Sequence, residues 1–572
     1  METIKNKQIA QVLNEIADIL EMKEEKFKPI AYRKAAREIE SFPKSVSSID
    51  DINELKEIPG VGDSIAKKIM EISNTGTCNY CEQLKKQIPA DVVNLTRIEG
   101  VGPKTIKRLY DELGVKTVKD LEKAAENKKI RNLEGFGEKT EKNILKGIRS
   151  FRKRSTRFML GEALAYAEKV INQLRDHDNT VKVEVAGSIR RRKETIGDID
   201  ILLVSKDSED SMNYFTNLES VSRIIGKGKT KSTIEFDNGL QADLRIIDKG
   251  SWGAAMLYFT GDKSHNIKLR QKAIKSKFKL NEYGLFNKKG KTVAGKSEEE
   301  IYQKLGMKTP PPEIRRDNGE IEVASEHNLP NLIKEDDIKG DLQMHTVFSD
   351  GVNTPKEMAD AASKLGYEYI AITEHNTEGL EVAGGVDSKD VPKYIKKIKS
   401  VKSKTKILPG LEVNIAQDGL LTVEDRYLKL LDFVLIAIHS NFRMGKDEMT
   451  KRILRAFDNR YVNSFAHPTG KLLLRRDGYE FDFEAVCKKA EKRNICLELN
   501  AYPERLDLNG EQAKLAKKYG CKFSIGTDSH SVLQLQNIKY AVYMARRGWL
   551  EKKDIINSMN YKKLLKYLKR KK

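Results

Sequence analysis

Cysteine is scarce in this chain of 572 residues, and it has no long apolar run. Its five cysteines follow no regular framework, which excludes a disulfide-stapled secreted scaffold. No apolar stretch is long enough to cross a bilayer, and no signal-peptide pattern is present. We therefore expect a cytoplasmic protein with no membrane contact. Cys78 and Cys81 have the spacing of zinc or redox sites, but they lack a second pair at metal spacing, so we interpret them as plain thiols.

Acidic residues are outnumbered by basic ones. Lysine and arginine total 105 against 84 aspartates and glutamates, which leaves a net charge of +21. An excess of this size favours a polyanionic partner, and nucleic acid is the first candidate. The chain is also too long for one hydrophobic core, so we expect several domains.

The most informative stretch covers residues 187–203. An apolar alternating run ends just before Gly187 and Ser188, and three arginines follow, as in a strand that leads into a turn able to hold a polyphosphate. Asp198 and Asp200 come next, two positions apart in an apolar strand pattern, which places both carboxylates on one face. Paired carboxylates bind Mg²⁺ together with substrate phosphates. The stretch therefore predicts a triphosphate and metal site.

A third carboxylate on a neighbouring strand would complete a two-metal site for in-line displacement at phosphorus. Asp243, in the strand pattern of residues 240–247, is the candidate. A lone Asp-x-Asp is more often a pair of surface turn residues, and three arginines can be a solvated face. The whole order of glycine turn, arginines, paired aspartates and third aspartate instead resembles the nucleotidyltransferase fold, and within it the family X DNA polymerases typified by DNA polymerase beta.

The resemblance implies roles for individual residues. Asp198, Asp200 and Asp243 would hold two Mg²⁺ ions and carry the catalysis. The turn would bind the triphosphate of the incoming deoxynucleoside triphosphate through Gly187, Ser188 and Arg191. One departure is Gln241, which stands where polymerase beta has an arginine.

Residues 252–266 extend the resemblance. By themselves they predict an amphipathic helix packed in a core and ended by a glycine. In family X this segment contacts the sugar and base of the incoming nucleotide. Tyr258 and Phe259 would wall the sugar and disfavour a 2′-hydroxyl, Asn266 would hydrogen-bond in the minor groove, and Arg270 would touch the template strand. Gly261 belongs to the same substrate-binding turn.

Glycine hairpins recur in the first 140 residues. A single Gly-x-Gly turn between helices is usually only a C-cap. Repeated turns followed by basic residues such as Lys104 instead resemble helix-hairpin-helix elements, whose backbone N–H groups bind DNA phosphates without reading bases. The three copies, of which the third is weaker, are Gly60 and Gly62, Gly100 and Gly102, and Gly135 and Gly137.

The first segment also resembles the lyase domain of DNA polymerase beta, in which a lysine forms a Schiff base with an abasic sugar. Aligning the hairpins without gaps places Lys68 at that position, and Tyr32 and Lys34 match the motif as well. Such chemistry needs a partly neutral amine, which the neighbouring cations favour. A lysine on a DNA-binding helix is otherwise a phosphate contact, and both interpretations of Lys68 stay open.

The predicted secondary structure changes after residue 340. Residues 305–340 contain three consecutive prolines and many charges, which predicts a semi-rigid linker. Beyond them apolar strand patterns alternate with helices in an α/β rhythm, and five of the eight histidines lie in short motifs at strand ends. A single histidine is more often structural, but imidazoles grouped with carboxylates bind Zn²⁺, Mn²⁺ or Fe²⁺.

These motifs resemble the PHP domain, named for polymerase and histidinol phosphatase, a metal-dependent phosphoesterase on a distorted seven-strand barrel. Gln343 stands where most members carry the first histidine, and an amide is the weaker ligand. The nine ligand positions for Mn²⁺ or Zn²⁺ map onto Gln343, His345, Asp350, His375, Glu412, His439, His467, Asp528 and His530.

Together these patterns predict a multidomain α+β protein. The expected regions are a helical lyase-like domain (1–80), a helix-hairpin-helix DNA-binding region (81–155), a nucleotidyltransferase palm (156–250), a nucleotide-binding subdomain (251–315), a linker (316–338) and a C-terminal distorted α/β barrel of the PHP type (339–572). The resemblance implies a monomer that fills short gaps in gapped or nicked double-stranded DNA during base-excision repair or end joining. Its PHP domain would trim 3′ ends and cut at abasic sites.

Two other functions fit the sequence. The PHP domain would in one case hydrolyse a small phosphate monoester, and in the other the chain would be a scaffold that binds gapped DNA. The intact carboxylates argue against the scaffold.

Overall fold

The computed structural model describes residues 6–40, 46–49, 51–58, 60–88, 91–96, 98, 100–154, 157–378 and 384–569. The chain divides into two compact units, Met1–Thr156 and Arg157–Lys572. Within the described residues, no helix has the length and apolar character needed to span a membrane.

The first unit is helical. Its core forms because apolar residues recur at helical spacing, as at Ile9, Leu13, Ile16 and Leu20, all of which are buried. Gly62 and Gly102 directly precede two of the helices. The helices of this unit are α1 (Asn6–Met22), α2 (Lys28–Glu40), α3 (Ile52–Lys56), α4 (Asp63–Thr75), α5 (Asn79–Gln87), α6 (Val92–Thr96), α7 (Pro103–Leu113), α8 (Val118–Glu126) and α9 (Glu138–Arg154).

The second unit begins with a five-stranded palm sheet of order β2-β4-β7-β6-β5, in which only the β4–β7 pair is parallel. A short β1–β3 pair lies at its start. The elements are β1 (Phe158–Met159), α10 (Leu160–Arg175), β2 (Thr180–Val185), α11 (Gly187–Arg190), β3 (Thr195–Ile196), β4 (Asp198–Ser205), α12 (Ser208–Thr216), β5 (Val221–Lys227), β6 (Lys231–Phe236) and β7 (Gln241–Ile246).

A smaller α+β subdomain follows the palm, with a three-stranded antiparallel sheet of order β10-β9-β8. Its elements are α13 (Trp252–Thr260), α14 (Lys263–Lys275), β8 (Lys279–Asn281), β9 (Gly284–Phe286), β10 (Thr292–Ala294), α15 (Glu298–Lys304) and α16 (Glu320–Ser325).

The segment predicted to be a linker differs from that prediction. Residues 316–338 include α16, whose Ile321 and Ala324 are buried in the core of the subdomain. Glu320 is fully buried, and its Oε1 lies 2.6 Å from Nδ1 of His265 in α14. The segment is therefore packed rather than extended, because its few apolar residues and one paired carboxylate are enough to anchor it.

The rest of the chain is built on a seven-stranded parallel sheet in sequential order, as expected for the predicted α/β barrel. Successive residues of a strand are buried on opposite faces, as with Tyr369 and Ile370, because helices cover the outside while side chains fill the inside. The strands are β11 (Gly340–Asp341), β12 (Tyr369–His375), β13 (Lys406–Asn414), β14 (Phe433–Ala437), β15 (Ser464–Phe465), β16 (Cys496–Asn500) and β17 (Phe523–Gly526).

Helices surround these strands, and the last of them packs Leu564 and Leu568 against inner-face residues at the amino ends of the strands. The carboxyl ends remain as the rim that carries the polar motifs. The helices are α17 (Pro355–Lys364), α18 (Val391–Ser400), α19 (Asp425–Leu428), α20 (Lys446–Ala456), α21 (Phe483–Arg493), α22 (Gly510–Lys518), α23 (Ile538–Arg547) and α24 (Tyr561–Lys569).

The palm and the barrel share a packed core. Leu506, Tyr540 and Met544 of the barrel region belong to the same buried cluster as the palm helix α10. A Cβ on Gly161 of α10 would lie 3.0 Å from the hydroxyl oxygen of Tyr540, so the glycine permits this close approach. The two regions therefore form one unit with a continuous apolar contact.

Candidate active sites

The palm carboxylates lie on two neighbouring parallel strands. Asp198 and Asp200 are on β4 and Asp243 is on β7, and in the ladder Asp200 is directly opposite Asp243 while Asp198 is opposite Gln241. Side chains opposite each other in a ladder share a face. The structure therefore brings together the three aspartates that the sequence singled out.

The electrostatic environment of Asp200 is unfavourable for its charge. Burial, and then the neighbouring Asp198 and Asp243, raise the pKa of Asp200 to about 6. Asp243 has compensating partners, because Nζ of Lys231 lies 2.7 Å from its Oδ2 and Thr233 donates a hydrogen bond to its Oδ1 at 2.5 Å. A cluster of this kind attracts a divalent cation.

The turn formed by residues 187–194 brings backbone close to Asp200. Gly187 has a φ of +61°, and a Cβ there would lie 2.2 Å from Oδ2 of Asp200. The turn closes on itself through a hydrogen bond from the Lys193 N–H to the Ser188 carbonyl at 3.0 Å. Only glycine satisfies both the left-handed backbone and the short approach to the carboxylate.

The guanidinium of Arg191 points into the protein and is not part of a solvated face. Its side chain is 12% exposed, and its Nη1 donates to the carbonyl oxygens of Thr260 and of Gly261, the latter at 2.8 Å. The neighbouring Arg190 donates to both carboxylate oxygens of Glu298. Both arginines thus tie the 187–194 turn to the subdomain that follows the palm.

The predicted sugar-binding residues lie at the end of α13. The rings of Tyr258 and Phe259 pack edge to face at 5.1 Å, and the guanidinium of Arg245 lies 4.7 Å from the Phe259 ring centroid. Nδ2 of Asn266 donates to the Tyr258 carbonyl at 2.7 Å, which orients its amide. Arg270 follows one helical turn later, with its Nε 3.3 Å from the Asn266 carbonyl oxygen.

The barrel site gathers its residues at the carboxyl ends of the strands. His375 is the last residue of β12 and pairs in register with Glu412 on β13, while His439, His467 and Asp528 each follow a strand by two residues. Among the described residues, three groups have ligand atoms within 4.8 Å of one another. They are His345, Asp350, His375 and His530; His375, Glu412 and His439; and His345, Glu412 and Asp528.

Glu412 is the centre of the barrel site. Its Oε1 lies 2.9 Å from Nε2 of His467 and 3.1 Å from Nε2 of His439, and its Oε2 lies 3.3 Å from Nε2 of His345. Burial alone would raise the pKa of Glu412, but the surrounding imidazoles, His375 foremost, hold it well below its usual range. Burial, and then the charge of His345, lower the pKa of His375 to about 3, although Glu412 and Asp350 act to raise it.

The barrel residues fit a set of metal ligands. Nε2 of His345, Nδ1 of His375 and Nδ1 of His467 are buried and make no hydrogen bond within the part of the chain that the structure describes. A buried ring nitrogen without a hydrogen bond is unfavourable unless another ligand satisfies it. Imidazoles mixed with carboxylates suit Mn²⁺ and Zn²⁺.

The helical unit presents its glycines at helix starts. Gly62 precedes α4 and Gly102 precedes α7, and neither helix start has a side-chain cap. Gly60 and Gly100 both have a φ of +84°, which glycine adopts without strain. Lys104 is exposed in the first turn of α7. The third copy places Gly135, with a φ of +75°, shortly before α9.

Comparison with known proteins matches each of these regions to a family. The model for the DNA polymerase beta palm matches residues 160–246 and the model for the DNA polymerase beta thumb matches residues 255–316. The models for a helix-hairpin-helix domain, a SAM-like helix-hairpin-helix tandem and the PHP domain match residues 4–78, 92–150 and 341–502.

The whole chain also has a relative of the same layout. This chain is 36% identical over 571 residues to the DNA polymerase/3′-5′ exonuclease PolX of Bacillus subtilis (strain 168), and the match covers 99% of both chains. This chain belongs to the PolX family. The resemblance to family X polymerases and to the PHP domain, predicted from the motifs, is thereby confirmed.

The PHP domain of this PolX chain has relatives of its own. A probable phosphatase of Clostridium novyi (strain NT) is 30% identical over 244 residues, which are 40% of this chain and 94% of that protein. A probable phosphatase of Thermoanaerobacter sp. (strain X514) is 28% identical over 249 residues, 41% of this chain and 95% of that protein. PolX and PHP enzymes are metal-dependent, and the barrel groups described above are candidate ligands.

Gln343 lies beside the candidate metal ligands of the barrel. Its Nε2 donates to Oε2 of Glu412 at 3.2 Å, and its Oε1 accepts from Nδ2 of Asn500 at 3.2 Å. Nδ2 of Asn500 also lies within 3.2 Å of a carboxylate oxygen of Glu498 and of Asp528. The amide of Gln343 is thus part of a hydrogen-bond network as well as a potential metal ligand.

Two residues near the barrel site were missed in the sequence. Asn500 ends β16, between strands that are followed by candidate ligands, so its strand-end position could have identified it. Arg505, with its Nε 3.5 Å from Oδ2 of Asp528, lies in a loop with no periodicity, and no local signal pointed to it.

Proposed function

We propose that this chain is a DNA-directed DNA polymerase that fills short gaps during base-excision repair or end joining, and that its PHP domain is a 3′–5′ exonuclease. The observation that carries the proposal is the opposition of Asp200 and Asp243 beside the 187–194 turn, in a chain that also has the Glu412-centred ligand cluster. The full-length relative is named for both activities. The substrates proposed are gapped or nicked double-stranded DNA and deoxynucleoside triphosphates, and the protein acts as a monomer.

In nucleotide addition the palm residues would bind and orient the reactants. Asp198, Asp200 and Asp243 would hold Mg²⁺, which lowers the pKa of the primer 3′-hydroxyl and neutralises the triphosphate. The backbone N–H groups of the turn at Gly187 and Ser188 would hold the outer phosphates. Arg191 would contribute positive potential while it holds the turn in place.

The subdomain after the palm would select the sugar. Tyr258 and Phe259 form a rigid aromatic wall, so a 2′-hydroxyl would meet ring atoms rather than water. Asn266 is oriented by the Tyr258 carbonyl, so its amide would reach the minor groove of the new base pair. Arg270 would contact the template strand.

In the nuclease reaction the barrel would hold the scissile phosphate. The nine residues from Gln343 to His530 would bind Mn²⁺ or Zn²⁺, which activates water for attack on phosphorus. Arg505 lies beside Asp528 and is 20% exposed, so its guanidinium is placed to bind a phosphate oxygen. Cutting at abasic sites would use the same groups.

A small phosphate monoester is the competing substrate for the barrel, because two relatives of this domain are named probable phosphatases. A labelled gapped duplex, incubated with Mg²⁺ and nucleotides or with Mn²⁺ alone, separates the possibilities. We expect Asp200→Ala to abolish primer extension and retain 3′ trimming and DNA binding. We expect His345→Ala to abolish 3′ trimming and retain primer extension.

The same assay, with p-nitrophenyl phosphate as a second substrate, also tests the alternatives. Extension by Asp200→Ala at near the wild-type rate would remove the palm assignment. If the wild type bound the duplex but neither extended nor trimmed it, a scaffold would be the better description. Hydrolysis of p-nitrophenyl phosphate without primer degradation would favour the monoester.

A third activity, removal of an abasic sugar phosphate, is favoured by the surroundings of Lys68. Its Nζ lies 3.0 Å from Oγ of Ser64, 4.6 Å from the Tyr80 ring centroid and 5.9 Å from that of Tyr32. An aromatic enclosure would receive a sugar and keep the amine in place for Schiff-base formation. Borohydride trapping on 5′-incised abasic DNA tests this. Equal trapping by Lys68→Ala would exclude Lys68 as the nucleophile and leave it a phosphate contact.

A further inference from the structure

The end of helix α23 in the barrel region lies against the 187–194 turn of the palm. Arg547 is the last residue of α23, and its side chain is 2% exposed. Its Nη1 donates to the carbonyl oxygen of Arg191 at 2.7 Å, and its Nη2 lies 3.7 Å from Oε2 of Glu194. A side chain from one domain therefore contacts the backbone of the turn that borders the active site of the other.

This contact is electrostatic as well as steric. Burial acts to raise the pKa of Glu194, yet the charges of Arg547 and then Lys471 lower it overall. Burying a guanidinium is unfavourable unless it is paired and hydrogen-bonded. Simple packing would be served as well by an apolar side chain, whereas a guanidinium requires its acceptors at defined positions.

A second contact on the same face of α23 supports the first. Tyr543 and Arg547 are four residues apart and so lie one above the other on the helix. The guanidinium of Arg192 lies 4.5 Å from the Tyr543 ring centroid. Arg192 has a φ of +53°, a left-handed conformation that a residue with a side chain keeps only when its surroundings hold it. Consecutive residues of the turn, Arg191 and Arg192, are thus held by one helix face.

The absence of a side chain at Gly510 leaves room for the Arg547 side chain. A Cβ at Gly510, where α22 begins, would lie 2.5 Å from Cβ of Arg547. The turn is also bound to the subdomain that follows the palm, because the Arg191 side chain donates to the Gly261 carbonyl at 2.8 Å. The contacts run from Arg547 through Arg191 to the subdomain that follows the palm.

We propose that Arg547 is a positioning residue for nucleotide addition, because it holds the Arg191 carbonyl and so keeps the 187–194 turn in the shape that receives the triphosphate. This inference rests on the function proposed above, in which that turn binds the triphosphate. It gives the PHP domain a part in the polymerase reaction that is separate from its own chemistry.

The test compares Arg547→Met and Arg547→Lys with the matched control Arg546→Met in the full chain. Arg546 precedes Arg547 on α23, but its Nε donates to Glu313 and its Nη1 donates to the Ile333 carbonyl, and neither of these partners lies in the turn. The measurements are kcat and KM for a deoxynucleoside triphosphate on a gapped duplex with Mg²⁺, 3′ trimming with Mn²⁺, and thermal unfolding.

For Arg547→Met we expect the nucleotide KM to rise about tenfold, the loss typical of a charged hydrogen bond. Trimming should stay within about twofold of wild type, because the barrel ligands are untouched. Arg547→Lys keeps the positive charge but loses the planar guanidinium, so its nucleotide KM should lie between those of the wild type and Arg547→Met. Arg546→Met should leave the nucleotide KM within about twofold of wild type.

An unchanged nucleotide KM in Arg547→Met, with wild-type extension intact, would overturn the positioning role alone. Loss of both activities in Arg547→Met and Arg547→Lys alike would make Arg547 a folding residue and would also overturn it. If the wild type itself fails to extend the primer, the proposed polymerase function is what fails.

Discussion

The carboxylate of Asp200 occupies the space where a side chain at Gly187 would be: a Cβ on Gly187 would lie 2.2 Å from Oδ2 of Asp200. The glycine is therefore required twice, by its φ of +61° and by this approach. The backbone of the turn proposed to bind the triphosphate is thus in contact with a carboxylate proposed to bind Mg²⁺.

Gly187→Ala should reduce nucleotide addition about 100-fold or more, because displacing Asp200 by even 1 Å misaligns the reactants. Gly239→Ala is the matched control: Gly239 has a φ of +82°, but no atom lies within 4 Å of its Cβ position. Primer extension under single-turnover conditions measures the effect. Equal losses in the two variants would mean that backbone strain, and not the Asp200 contact, is responsible.

Gln343→His should raise nuclease activity at low Mn²⁺, because an imidazole binds a first-row divalent metal better than an amide oxygen does. Degradation of a labelled primer across a Mn²⁺ series measures the change, and equilibrium Mn²⁺ binding gives a second readout. Gln417→His, at an exposed position of the same domain, is the control.

The same series tests the barrel assignment. His345→Ala and Asp528→Ala should lose 3′ degradation while primer extension persists, since the palm shares no ligand with the barrel. A His345→Ala protein that degrades the primer like wild type would refute the metal site. An unchanged Mn²⁺ requirement in Gln343→His would refute only the weak-ligand argument.

DNA binding should be weakly sequence-dependent and fall steeply with salt, because glycine hairpins and lysines engage phosphates and release counterions. Lys104→Ala, at the start of α7, should reduce the log–log salt slope by about 1. Lys119→Ala, on α8 and outside the hairpins, should leave the slope unchanged. Fluorescence anisotropy on two unrelated duplexes measures both effects, and an affinity that is flat between low and moderate salt would contradict the prediction.

Glu298 should stabilise the protein at neutral pH and not in acid. Burial acts to raise its pKa, but Arg315 and then Arg190 lower it to about 2, below the ordinary 4.5. Because the folded-state pKa is the lower one, the stabilisation is complete above pH 4.5 and is lost as the pH falls toward 2.

Glu298→Gln should therefore lower the free energy of unfolding by about 3 kcal/mol at pH 7, since it leaves the buried Arg315 and the partly exposed Arg190 without their carboxylate. The difference from wild type should shrink below pH 4.5. Calorimetric melting across pH measures it, with the exposed neighbour Glu299→Gln as control. A difference that stays constant from pH 7 down to pH 2 would show that the charge of Glu298 is not its source.

Local spacing was enough to predict most of the two candidate sites. Asp198 and Asp200 lie on one face because side chains alternate along a strand, and His375, His439, His467 and Asp528 reach one rim because the carboxyl ends of parallel strands share an edge. Each residue owes its place to the local pattern of its own strand, so the sequence alone determined these placements, together with the family resemblance that the full-length relative confirms.

Contacts between distant segments were decided only by the tertiary structure. One is the register that sets Asp200 opposite Asp243, 43 positions away. Another is the pairing of Glu320 with His265, 55 positions away, which packs the predicted linker against the subdomain. The third is the hydrogen bond from Arg547 to the Arg191 carbonyl, 356 positions away. The strand pattern made Asp243 a candidate but did not set its register. In the other two pairs neither partner carries a pattern that identifies the other, because the energy that joins them comes from burial and ion pairing in the assembled fold.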